Sequence, residues 1–219
     1  MAIFNTVYGG EWHWTPWSNT IAYYPLTSVT TTSDMKWSWT AYNLTKNWTV
    51  TFWTNAGVDC ASFNSSGLYN TSFSQLQWTS ARTYNFWAYD NKDSDTWQGL
   101  YIYQWTSSTN KMVLIARTNT YFISQYGSSW NFWNTNWKSW NNHTITYDGT
   151  KFEWLINWVS KWTWAYTINT QWSELSIWKN VGNTWWSFVW YISNVIVENK
   201  VWTSDEITKY YNSTKANYS

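Results

Sequence analysis

Trp140-Asn141-Asn142-His143-Thr144-Ile145-Thr146-Tyr147-Asp148-Gly149, continued by Lys151-Phe152-Glu153-Trp154-Leu155-Ile156-Asn157-Trp158, is the most legible part of this chain. β-Branched and aromatic residues fill the runs His143–Tyr147 and Lys151–Ile156, and Asp-Gly separates them. The pattern reads as strand, tight turn, strand. Asn157 then opens a second turn of the form Asn-X. X is ordinarily glycine there, because both central residues of such a turn need φ > 0.

On either side the same signature recurs. Strand-like runs stand at Thr20–Leu26, Asn43–Phe52, Val58–Phe63, Arg82–Tyr89, Gly99–Gln104, Lys111–Ala116, Thr120–Gln125, Thr163–Ile168, Ser173–Ile177 and Phe188–Val197. Short strands separated by turn residues, with no fixed repeat, predict an all-β fold: a two-sheet antiparallel β-sandwich, or jelly roll. One short helix is expected near the C-terminus. Thr203-Ser204-Asp205-Glu206 offers a capping box, and Ile207, Tyr210 and Tyr211 follow at i, i+3, i+4 as an apolar stripe. That stripe should lie against the sandwich, with the tail after Asn212 frayed. A length of 219 residues suits one large sandwich. Gly9-Gly10 and Pro16 mark residues 1–19 as an N-terminal arm, leaving 20–219 as the jelly-roll domain.

Charge and composition exclude several classes. The formal net charge is +1, 11% of residues are charged and no basic block occurs, so no nucleic-acid partner is expected. No apolar run of about 18 residues predicts membrane insertion. Met1-Ala2-Ile3-Phe4-Asn5-Thr6 lacks the basic and apolar regions of a signal peptide. The expectation is a soluble protein working extracellularly, at a cell surface or in a virion, with no signal peptide visible. Cys60 is the only cysteine, which excludes an internal disulfide and a paired-cysteine metal or redox motif. Asn-X-Ser/Thr sequons fall at Asn43, Asn47, Asn64, Asn70, Asn142, Asn212 and Asn217, and a chain this rich in Asn, Ser and Thr makes them by chance.

Tryptophan is the anomaly. The chain holds 25 Trp and 8 Gly, where average usage would give roughly 15 Gly. Many Trp stand where turns need glycine, as at Asn47-Trp48, Asn136-Trp137 and Asn157-Trp158, and at Trp178, Trp185 and Trp190. A bulky residue at φ > 0 costs roughly 1–2 kcal/mol, and a dozen such sites exceed a total stability of about 5–15 kcal/mol. One reading is a gene whose UGA codons mean glycine but are translated as tryptophan. On that reading Trp87, Trp97, Trp140, Trp154, Trp186 and Trp202 stay, and the remaining Trp are glycines. A chain carrying every Trp literally should then expose many of them at loops. The other reading is a Trp-rich protein whose aromatics serve as sugar platforms or interface anchors.

Several stretches together resemble the laminin-G-like/pentraxin-like branch of the concanavalin A-like lectin/glucanase superfamily. Thr83-Tyr84-Asn85-Phe86-Trp87-Ala88-Tyr89 is similar to its central strand with an aromatic-Trp pair. Trp140 to Gly149 is similar to its "W-x-H-hydrophobic…Y-D-G" stretch, with the His shifted, and Asn157-Trp158 stands at its N-G hairpin. Leu175-Ser176-Ile177-Trp178, Phe188 to Val195 and Trp202 to Ile207 are similar to "L-x-I-G", "F-x-G-x-I-D-x-V" and "L-S-x-x-E-I", with Trp at the glycine positions. Thr20–Leu26 followed by Ser33-Asp34-Met35 resembles the opening strand and loop. The resemblance covers most of residues 20–212 and implies a jelly roll and a glycan-binding role. Ser193 and Asn194 stand where the family often has an acidic residue, which weakens a carried-over calcium site.

The superfamily includes glucanases with an E-x-D-x-E strand, whose alternate carboxylates share a sheet face at about 5–5.5 Å for retaining hydrolysis. No such motif occurs, and Asp90, Asp93 and Asp95 cluster in an expected loop. His13 and His143 are far apart in sequence, and His143 falls on an expected strand in a structural role. No nucleophile elbow, zinc-protease helix or phosphate loop is present. No catalytic residue is assigned, and no enzyme activity is expected.

Binding remains. Aromatic faces stack on sugars, while Asn, Asp and Gln bind hydroxyls. Tyr89, Trp97, Tyr101, Tyr103, Tyr121 and Tyr126 are expected to share one sheet face or its rim, with Asp90, Asn91, Asn131 and Asn134 nearby. Aromatics also fill sandwich cores, so each has a structural reading beside the functional one. Asp34, Asp59 and Asp148 are the candidate ligands for Ca2+, and Asp148 alternatively shapes the Asp-Gly turn. The sequence therefore reads as a non-catalytic, lectin-like carbohydrate-binding module for surface recognition or adhesion, its partners glycans or cell-surface polysaccharide. The alternative is a structural protein of a phage particle or cell surface, assembling into a larger particle without binding sugar.

Overall fold

Asp148 and Gly149 close the turn that the sequence marks. The Asp148 carboxylate accepts from the Thr150 N–H (2.8 Å), the Thr150 hydroxyl (2.8 Å) and the Lys151 N–H (2.7 Å). Gly149 takes φ +104°, and a side chain there would begin 3.2 Å from the Thr79 carbonyl. A short polar side chain bonded to its own turn, followed by a residue without Cβ, is what reverses the chain here.

The computed structural model describes residues 7–8, 11–12, 18–27, 42–47, 50–64, 67–73, 76, 79–90, 99–104, 112–117, 120–125, 128–133, 138–168, 174–177 and 189–219. The described strands are β1 (Val7–Tyr8), β2 (Glu11–Trp12), β3 (Thr20–Tyr24), β4 (Thr45–Asn47), β5 (Thr51–Asn55), β6 (Val58–Asn64), β7 (Gly67–Asn70), β8 (Arg82–Asp90) and β9 (Gly99–Gln104). They continue as β10 (Met112–Arg117), β11 (Thr120–Gln125), β12 (Ser128–Trp133), β13 (Trp140–Tyr147), β14 (Lys151–Ile156), β15 (Val159–Ala165), β16 (Leu175–Ile177) and β17 (Val189–Glu198). Helix α1 (Ser204–Thr214) and a 3-10 turn (Lys215–Tyr218) follow.

β1 and β2 pair as a small ribbon within the segment expected as an arm. The remaining strands form two antiparallel sheets. One has the order β12-β11-β10-β9-β16-β7-β4; the other runs β15-β14-β13-β8-β17-β6-β5, with β3 also on β17. The expected two-sheet antiparallel sandwich with a short C-terminal helix is therefore the fold. The main core lies between the sheets: Leu68, Leu175 and Ile177 from one meet Tyr84, Phe86, Ile145, Phe152 and Trp154 from the other. Alternate residues of the same strands, Trp87, Trp140, Leu155 and Ile196, point the other way and form a second core under α1 with Trp202, Ile207 and Tyr210. The eight-stranded sheet is thus covered on both faces, which explains why β13 is buried along its whole length.

Three strand readings are corrected. Asn43–Phe52 is not one strand: β4 joins the seven-stranded sheet and β5 the other. β7 and β12 fall outside the expected runs: β7 is only four residues long with Gly and Asn at its ends, and both are held by pairing, β7 with β16 and β4 and β12 with β11. The run read as Thr163–Ile168 begins earlier, at Val159, because the turn before it has only two residues.

That two-residue turn is Asn157-Trp158, at φ +49° and +63°. The β5–β6 hairpin uses the same turn, Ala56-Gly57, at φ +50° and +80°. Trp158 stands where Gly57 stands in its counterpart. The described tryptophan side chains divide along the same line. Trp87, Trp140, Trp154 and Trp202, all among those the sequence retains, are at most 6% exposed. Trp53 on edge strand β5 is 65% exposed and Trp158 is 51% exposed. Trp162 and Trp164 are half-buried on edge strand β15.

The helix starts as expected. Thr203 Oγ1 accepts from the Glu206 N–H (3.3 Å), and Glu206 Oε2 accepts from the Thr203 N–H (2.8 Å). The tail departs from expectation. It does not fray after Asn212: α1 runs to Thr214, and Tyr218 in the following turn is buried. The sequon Asn142 is fully buried, bonded to Asn85 and to the Phe86 carbonyl, so it is a structural residue.

Candidate functional site

The strands divide the expected sugar-contact residues between two sheets. Tyr89 and Asp90 end β8 in the eight-stranded sheet, while Tyr101 and Tyr103 (β9), Tyr121 (β11) and Asn131 (β12) belong to the seven-stranded sheet. One sheet face does not hold them all. Asn91, Trp97, Tyr126 and Asn134 lie outside the described residues.

Register sorts the seven-stranded group further. Tyr103 stands opposite Val113, and Val113 opposite Ser124; Asn131 stands opposite Phe122, two residues from Ser124. Positions 103 and 131 therefore share one face of the sheet. Position 121 is in phase with Ile123, Leu114 and Ile102, and Ile102 pairs with the core residue Ile177. It falls on the face that meets the core. Tyr101 is the extra residue at a register shift, since Ile102 and Leu100 pair with the consecutive Leu114 and Ile115.

The candidate calcium ligands do not assemble among the described residues. Asp34 lies outside them. Asp59 is exposed on β6 and accepts from the Thr54 hydroxyl (2.5 Å). Asp148 is committed to its turn: partial burial raises its pKa, but the bonds from Thr150 and Lys151 outweigh this and hold it below the usual value. No group of three or more His, Cys, Asp or Glu among the described residues could hold a metal ion.

The buried ionisable groups serve the core. His143 is fully buried, stacks on Phe86 at 5.1 Å and accepts from Trp154 Nε1 at Nδ1 (3.2 Å). Burial pushes its pKa down to about 3, so the ring is neutral. Burial likewise pushes the Cys60 thiol up to about 12 and leaves it unreactive. Burial raises the Glu198 carboxyl, partly offset by bonds from Trp202 Nε1 (2.5 Å) and the Thr20 hydroxyl (2.8 Å).

Sequence reasoning missed an aromatic cluster beside Tyr89. Trp140 meets Tyr89 edge-on at 5.7 Å, and Tyr191 meets it at 6.1 Å. Tyr218 lies flat on Trp87, ring centroids 4.1 Å apart and planes 2° from parallel, with its edge toward Trp140 at 5.2 Å. Its hydroxyl donates to Ser193 Oγ (3.1 Å) and accepts from the Asn194 amide, which also accepts from the Tyr23 hydroxyl (2.8 Å). Asn194 sits at φ +52° where the β17–β8 register shifts. A bulge of this kind re-aims side chains. The missing acidic residue at this place was the only sequence signal.

No protein-family model matches the sequence, and no curated protein matches it. Solved structures do match in fold. The binding domain of botulinum neurotoxin DC in complex with rat synaptotagmin II superposes with a TM-score of 0.72 at 14% identity, over 89% of this chain and 52% of that one. A structure of botulinum neurotoxin type C, whose cell entry is described as dependent on two ganglioside molecules, gives 0.70 at 13%, over 89% and 51%. The botulinum neurotoxin type G receptor-binding domain gives 0.64 at 16%, over 89% and 51%. The chain thus spans about half the length of these neighbours and shares with them a β-sandwich fold.

Proposed function

We propose that this chain is a non-catalytic, carbohydrate-binding module that recognises glycans at a cell surface. The observation that carries the reading is the sandwich itself, similar in fold to binding domains described with gangliosides and with a protein receptor. Helix α1 occupies the outer face of the eight-stranded sheet, which leaves the seven-stranded sheet as the binding surface. There the register keeps positions 103 and 131 on one face. Position 103 offers a tyrosine, the residue type that stacks on a pyranose ring, while position 131 lies three strands away, about 14 Å across the same face. A glycan array tests this. Binding that Tyr103→Ala weakens at least tenfold is the expected result. An array without any bound glycan, with the protein recovered in purified particles, would replace it with the structural role.

We also infer that Trp53, Trp158, Trp162 and Trp164 are glycine in the native protein, through UGA codons read as glycine. The left-handed backbone at Trp158 and the exposure of Trp53 and Trp158 support this. UGG codons at these positions in the coding DNA overturn it.

A further inference from the structure

We propose that the seat of Tyr218 is a second carbohydrate site, shaped for a pyranose ring and held shut by the chain's own tyrosine. The ligand class rests on the carbohydrate reading above; the site does not, because it lies on the opposite sheet. Trp87 supplies a flat wall, parallel to the occupying ring at 4.1 Å. Trp140 stands at its edge. Tyr89 and Tyr191, both half-buried, carry the aromatic surface from Trp140 toward solvent. A flat aromatic wall with polar groups around its rim is the arrangement that binds a sugar's C–H face and its hydroxyls together.

The polar groups are in place. Ser193 Oγ and the Asn194 amide both meet the Tyr218 hydroxyl, one as acceptor and one as donor. A donor and an acceptor side by side suit the adjacent hydroxyls of a pyranose, of which a phenol offers only one. Ser193 is anchored to the Pro25 and Asp59 carbonyls (3.2 and 3.3 Å), and Asn194 by the Tyr23 hydroxyl. Asn194 adopts a left-handed backbone, which asparagine tolerates better than most residues with Cβ.

The occupant is the single anchor of its turn. The 3-10 turn has no side-chain cap, and Tyr218 is its one buried residue. Lys215, Ala216, Asn217 and Ser219 are exposed. Release therefore gives up the stack on Trp87, the edge contact with Trp140 and the bonds to Ser193 and Asn194, all made by one side chain, and local opening of such a segment precedes global unfolding.

The test titrates the intact protein and Tyr218→Ala with methyl pyranosides of glucose, galactose, mannose and N-acetylgalactosamine, read by tryptophan fluorescence and calorimetry. Tyr218→Ala should bind at least one of them tenfold or more tighter than the parent, and adding Trp87→Ala should abolish the gain. A folded Tyr218→Ala that binds no tighter overturns the proposal, as does a gain that survives Trp87→Ala. Tyr218→Phe keeps the ring and drops its hydrogen bonds, so a smaller gain is expected. Should the alanine variant fail to fold, a folded phenylalanine variant with parental affinity overturns the proposal. Array binding lost with Tyr103→Ala reports on the other sheet alone, so the two proposals fail separately.

Discussion

Replacing Trp158 by glycine should cost this protein little stability, although it deletes the largest side chain. Trp158 is the second residue of a two-residue hairpin turn at φ +63°. An L-residue in that region costs roughly 1–2 kcal/mol. Glycine removes the strain, and its looser unfolded chain returns about 0.4–1 kcal/mol of the gain. The indole is 51% exposed, so about half of its surface leaves burial, a cost of up to about 3 kcal/mol. The turn itself is held by its neighbour: Asn157 Oδ1 accepts from the Asn142 N–H (2.9 Å), and its amide donates to Asn141 Oδ1 (2.9 Å). Relieved strain therefore offsets much of the lost burial, and a net change within about 2 kcal/mol follows, at about 2–4 °C in Tm per kcal/mol for a chain of this size. Urea titration and calorimetry on parent and variant measure it. Trp154→Gly in the same hairpin is the control. Trp154 is fully buried, so its loss should cost about 3–5 kcal/mol or more. If Trp158→Gly destabilises by as much as the control, the indole is a packed residue and the glycine reading of this turn is wrong.

Acid should weaken the fold through His143. Its folded pKa lies near 3, below the ordinary 6.5. The stability it contributes is present above 6.5 and is lost as pH falls toward the folded value, at about 1.4 kcal/mol per pH unit. His143→Gln should flatten that slope in urea titrations between pH 7.5 and 4, and parallel curves would show that another group carries it. Thr203→Ala removes the capping box of α1 and should cost about 1 kcal/mol. Amide exchange across 204–214 should then rise while the sandwich strands hold; unchanged exchange would mean that packing of Ile207 and Tyr210 alone sets the helix.

Local chemistry was enough for much of the fold. Alternating β-formers located β9, β11 and β14 to the residue, Asp148-Gly149 and Asn157-Trp158 marked their turns, and Thr203 with Glu206 marked the helix start. Each depends on contacts within a few residues, which a sequence displays directly. At Asn157-Trp158 the turn's demand for φ > 0 was legible for the same reason, because it is local.

The site was less legible, because it depends on which strands become neighbours. Tyr89 and Tyr103 are expected to share one sheet face or its rim, yet they occupy different sheets. Tyr103 and Tyr121 look alike in sequence, and a phase difference fixed only by the β9–β10–β11 register puts them on opposite faces. Tyr218 read as part of a frayed tail, because its stacking on Trp87 spans most of the domain in sequence. The sequence by itself determined an all-β sandwich, its turns and its helix cap, all set by short-range backbone preference. Only the tertiary structure decided which aromatics meet, since pairing across distant strands is chosen by burial of the whole sheet rather than by any segment alone.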